Sequence, residues 1–119
     1  MAKRIFDKKR GVLTTSGSVT SFVDLIIPNN TCVGFILKVV SKDTTANVGA
    51  MIHQVGSISN NTGITTLDGV VSSLASIINP SLAGITTILT ANSSNLRLSV
   101  TGIILKDLDW QYEIEMIHN

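Results

Sequence analysis

The chain has 119 residues and a formal net charge of +1 at pH 7, a length that suits one domain with a real hydrophobic core. Only 14% of its residues are charged, against roughly 25% in average soluble domains, which excludes a strongly basic or acidic body. A lone cysteine, Cys32, excludes an intrachain disulfide, and no apolar run approaches the ~18 residues of a membrane-spanning helix.

Residues 1–10, MAKRIFDKKR, hold five basic side chains and one acidic one, a net +4. The other 109 residues hold four basic and seven acidic ones, a net −3. The expected organisation is therefore a basic N-terminal arm (1–10) on a single mildly acidic domain (11–119). Phe6 is the arm's one aromatic residue and the body is not basic, which argues against nucleic acid as partner. Docking onto an acidic protein surface fits better. Ile5 and Phe6 would anchor between the charges of Lys3, Arg4, Lys8, Lys9 and Arg10. No long apolar stretch follows the basic start, so the expectation is synthesis in a cytosol without a secretory leader.

Beyond the arm, period-2 patterns dominate. Val19, Val23, Leu25 and Ile27 share one face of a first run, which Pro28-Asn29-Asn30 ends. Residues 31–41 form a second run, apolar on both faces, in which Cys32 reads as a small buried hydrophobe. Residues 46–59 form a third, with Gly49 and Gly56 inviting bulges. After the turn at Asn60-Asn61-Thr62-Gly63 comes a short strand at 64–67. Residues 68–80 suit two readings. Val70, Val71, Leu74, Ile77 and Ile78 lie on one helical face, whereas the Val/Ile/Ser content and Gly69 favour strand or loop. Residues 82–91 return to strand, with Ile85, Thr87 and Leu89 on one side.

The C-terminal stretch LRLSVTGIILKDLDWQYEIEM holds two alternating ladders. Leu98 and Val100 in the first, and Trp110 and Tyr112 in the second, are the expected core residues. Asp109, Gln111, Glu113 and Glu115 would then face water or a neighbouring subunit. Gly102 would end the first ladder with a positive φ. The sum is an all-β fold, an antiparallel, jelly-roll-like β-sandwich of seven or eight strands.

Chemistry is sparse. His53 and His118 are the only histidines, and a metal site built from His and Cys needs three or four ligands. His118, beside the C-terminus, is expected to fray. No nucleophile elbow or phosphate loop is present, so the expectation is no catalysis, no metal and no cofactor. Glu113 and Glu115 share a strand face, an arrangement that can serve glycoside hydrolysis, but inside a polar ladder they read as a hydrated face. Ser, Thr and Asn supply 35 of the 119 residues. Neutral polar groups cost less to dehydrate than ions, so this exterior suits contact with further copies of the chain.

The segments Leu96-Arg97-Leu98-Ser99-Val100-Thr101-Gly102 and Trp110-Gln111-Tyr112-Glu113-Ile114-Glu115-Met116 resemble the C-terminal strands of tailed-phage virion proteins. The loop between them, 103–109, departs from the Ala/Gly/Thr-rich loops of that group. The resemblance implies a non-enzymatic β-sandwich on the virion: a capsid decoration protein, head fibre or tail fibre. It also implies assembly with its own copies, often as trimers, and attachment to a major capsid or tail protein. A receptor- or glycan-binding fibre module is the alternative that it implies.

Overall fold

The computed structural model describes residues 5–119, with side chains from Phe6 onward. Its elements are β1 (Ile5–Ser16), β2 (Thr20–Ile26), β3 (Thr31–Asp43), β4 (Gly49–Asn61), β5 (Ile64–Leu67), β6 (Ser72–Ile78), a 3-10 turn (Pro80–Leu82), β7 (Thr86–Asn92), β8 (Asn95–Thr101) and β9 (Asp107–His118). That makes nine strands among the described residues, where seven or eight were expected. All pairings are antiparallel, in two sheets: β1-β9-β3-β4-β5, with β6 also on β4, and β2-β8-β7. The fold is the all-β sandwich that the alternation predicts, drawn out to 52 × 22 × 22 Å.

Alternation builds the core directly. Val33, Phe35, Leu37 and Val39 of β3 face inward, as do Leu108, Trp110, Ile114 and Met116 of β9. Leu96, Leu98 and Val100 of β8 close over them from the short sheet, and Tyr112 is half-buried at the margin. Apolar burial of this kind contributes about 25 cal/mol per Å².

Residues 68–80 contain no α-helix. β6 occupies most of the segment because β4 offers it an open edge, and its register shifts between His53 and Gln54. The helical spacing of the apolar residues loses to strand pairing, which satisfies every second backbone group along β4.

Three local expectations are also corrected. Cys32 is exposed, on the outer face of β3, with its thiol 3.0 Å from the Ser59 hydroxyl. His118 is buried as the last residue of β9, paired to Val33, and backbone bonds between Cys32 and Asn119 tie the strand end down. Gly102 does not have a positive φ. It is needed for another reason: a Cβ there would sit 2.5 Å from the Gly17 carbonyl oxygen and 2.6 Å from Thr15 Oγ1.

Candidate interaction face

From Ile5 onward the basic N-terminal segment lies in β1, an edge strand paired along its whole length with β9. Lys3 and Arg4 lie outside the described residues, as does the Ile5 side chain. Strand parity separates the rest. Phe6, Lys8 and Arg10 share the outer face with Ile117, Glu115 and Glu113, their partners in the β9 register. Lys9 is on the other side of the strand, 3.4 Å from Asp7.

The basic residues thus meet the acidic ladder of their own chain. Lys8 Nζ lies 3.4 Å from Glu115 and 3.6 Å from Glu113, and Arg10 Nε donates to Glu113 at 2.9 Å. The Arg10 hydrogen bond is the main cause that holds the Glu113 carboxyl below its usual range, with help from Lys8 and Lys38. A proton-donating catalytic acid needs the opposite shift. Glu113 is built to hold charge. The pairs are exposed and screened by solvent, so they orient the two strands more than they stabilise them.

Beside these pairs the outer face is apolar. Phe6, Ile36 and Ile117 surround a shallow groove of about 660 Å³, which also reaches Gly34, where β3 has no side chain. A second hollow of about 720 Å³ lies farther along, between Val12, Val40 and Met51. Sequence reasoning missed Ile36, Val40 and Met51 as surface residues. The signal was the even-numbered apolar positions of β3, which read as central-strand burial.

Two further clusters stand apart. On the short sheet, Arg97 makes a two-pronged bond to Asp24 (2.8 and 3.0 Å) and lies 4.0 Å over the Phe22 ring. On the long sheet, the Ser57 and Ser59 hydroxyls donate to Asp68 at 2.6 and 2.8 Å. Among the described residues, no group of three or more His, Cys, Asp or Glu side chains is placed to hold a metal ion. No helix of the described residues is long and apolar enough to cross a membrane.

The class defined by these features is an elongated, two-sheet antiparallel sandwich with an open outer face. Among solved structures it is similar to part of the tailspike protein gp49 of Acinetobacter baumannii bacteriophage Fri1, described as a capsular polysaccharide depolymerase. That likeness has a TM-score of 0.59 at 17% identity, over 96% of this chain and 17% of that one. It is also similar to part of the tailspike protein of Acinetobacter phage vB_ApiP_P1. There the TM-score is 0.51 at 15% identity, over 92% of this chain and 21% of that one. The chain therefore spans about a fifth of either tailspike, and the likeness is one of fold. No family model matches the chain, and no curated protein matches it.

One expectation is overturned by this comparison. The lack of catalytic motifs reads as a protein outside the enzymes. The same fold nevertheless occurs within a chain described as a polysaccharide depolymerase, so that exclusion is withdrawn.

Proposed function

We propose that the chain is a structural module of a phage tail fibre or tailspike, carried on the virion and assembled with copies of itself. The superposition of nearly the whole chain on a segment of a tailspike carries this reading. The low-charge Ser/Thr/Asn exterior and the C-terminal resemblance to virion proteins support it. Between the stations considered, the fold favours tail over capsid decoration. In this reading the module serves an assembly directed at capsular polysaccharide, the substrate class of the Fri1 protein.

Labelling of purified particles tests it. The protein should co-purify with virions, and gold-labelled antibody should mark the tail. Label over the capsid would move the module to a decoration role, and absence from particles would overturn the reading.

Of the N-terminal segment expected to dock, Lys3, Arg4, Ile5, Phe6, Lys8, Lys9 and Arg10, attachment to the particle falls to Lys3, Arg4, Ile5 and Lys9, because Phe6, Lys8 and Arg10 lie on the outer face beside Ile117, Glu115 and Glu113. Deleting residues 1–10 would strip half of β1 from β9, so charge reversal is the cleaner probe. Lys3→Glu, Arg4→Glu and Lys9→Glu together should lower occupancy on particles with the fold retained. Full occupancy would remove the docking role.

A second reading, glycan contact, is favoured by Phe22, an exposed ring beside the Asp24–Arg97 pair. The Phe22 face turned away from Arg97 offers a sugar ring a stacking surface, with the Asp24–Arg97 pair beside it for hydrogen bonds. Phe22→Ala should then abolish retention on host capsule, and unchanged retention would remove this reading.

A further inference from the structure

Resting on the reading of the chain as an assembled tail module, we propose that the outer face of the long sheet is covered by the same face of further copies of this chain. The register lines up Val12, Gln111, Val40, Met51 and Ile77 in one row across five adjacent strands. The four apolar members are 62, 52, 37 and 70% exposed. Nearer the other end of the face, Phe6, Ile36 and Ile117 form a second exposed apolar group. Only Gln111 interrupts the apolar row, and soluble monomers rarely leave apolar patches of this extent open to water.

Charge selects the occupant. Between the two apolar groups, Lys8 faces Glu115, and Glu113 lies between Arg10 and Lys38 in the register. Signs alternate across the strands, with Lys8 and Arg10 paired to Glu113 and Glu115 within each copy and Lys38 beside Glu113 in the register, so the face projects no strong field of either sign. A nucleic acid or a strongly acidic partner would be selected by a single-sign surface. A mixed, nearly neutral, apolar-striped face is complementary to another like itself, and a copy set against it brings acidic side chains within reach of Lys38.

Area points the same way. Strands of 12 to 13 residues give a length of about 40 Å at ~3.3 Å per residue, and four strand spacings give a width of about 19 Å. The face therefore offers about 750 Å² per copy, close to the ~800 Å² per partner of a stable interface. The short sheet has three strands of seven residues and offers only about 220 Å² by the same estimate.

Native mass of the full chain tests the proposal, by light scattering after gel filtration at micromolar concentration. Wild type should run at a multiple of 12.7 kDa, and Val40→Lys/Met51→Lys should fall to 12.7 kDa with an unchanged circular dichroism spectrum. If that pair of changes disturbs the fold, Val12→Lys, on the exposed edge strand, takes its place and should weaken association by about tenfold or more. Ile88→Lys, on the outer face of the short sheet, should leave the mass unaltered. A monomeric wild type would overturn the inference, and so would an oligomer that survives both stripe variants or dissociates with Ile88→Lys. A monomeric wild type would also remove self-assembly from the proposed function, whereas an oligomer held by another face would leave it standing, and co-purification with particles decides the tail reading separately.

Discussion

The indole Nε1 of Trp110 donates a hydrogen bond to Oγ1 of Thr15 at 2.9 Å, with both residues buried. The bond joins the core side chain of β9 to the end of β1, across 95 residues of sequence. It gives the indole N–H the partner that a buried Trp requires. It also explains Gly102, whose missing side chain leaves room for Thr15.

Removing the ring should cost much more than removing its partner. Trp110→Ala leaves a large cavity and should lower stability by about 3–5 kcal/mol. Thr15→Val keeps the shape but strands the N–H, at about 1–3 kcal/mol. Urea unfolding of both variants checks the ranking. A larger loss for Thr15→Val would mean that packing of the indole contributes less than its bond.

Tyr112 lies across Gly11, its register partner on β1, and a Cβ at Gly11 would collide with the phenol ring. Gly11→Ala should therefore cost about 1–3 kcal/mol through overpacking. In a Tyr112→Ala background the same change should be nearly neutral, because the obstruction is gone. A double-mutant cycle measures the coupling, and equal costs in both backgrounds would show that the ring is not the cause.

The β4–β5 hairpin turns on Thr62 and Gly63, both with positive φ, 55° and 94°. Such turns favour Asn or Gly at the first position, and a β-branched residue there is strained. Thr62→Asn should stabilise the protein by about 1 kcal/mol, visible as a higher melting temperature. Its backbone N–H would keep the bond to Asn30. A lower melting temperature would mean that the Thr62 hydroxyl, which donates to the Asn61 carbonyl, outweighs the strain.

Asp43 is a buried carboxylate at the end of β3. It accepts the backbone N–H groups of Thr45 and Ala46, and Lys106 Nζ lies at 3.2 Å. Those two backbone bonds, then Lys106, hold its pKa below the ordinary 3.8 against the opposing effect of burial. A depressed folded-state pKa means that the stabilisation is present above about pH 4 and is lost as the pH falls below it. Stability should therefore drop on acidification from pH 5 toward pH 2. Asp43→Asn keeps an acceptor for the turn and should flatten that drop. An unaltered acid profile would assign it to Asp24, Asp68 or Glu113, whose carboxyls are lowered by Arg97, by the Ser57 and Ser59 hydroxyls, and by Arg10.

Much of the architecture was legible in the residues themselves. Alternating side chains, turn clusters at Pro28-Asn29-Asn30 and Asn60-Asn61-Thr62-Gly63, and the two C-terminal ladders specify antiparallel strands and a two-layer core. Strand alternation and turn preference act over a few residues, so a linear reading captures them. The candidate face was far less legible. In β3 both faces are apolar, so parity could not say that Ile36 and Val40 point outward while Val33 and Leu37 point in.

The sequence by itself determined an all-β sandwich with a low-charge exterior and a basic start, because alternation, turn chemistry and composition are local properties. Only the tertiary structure decided which partner each strand takes. Pairing set β1 against the acidic ladder of β9, made a strand of residues 72–78, exposed Cys32 and buried His118. Those outcomes depend on which distant edges are free to accept hydrogen bonds and which face a second sheet can cover, and neither is written in any short window of the chain.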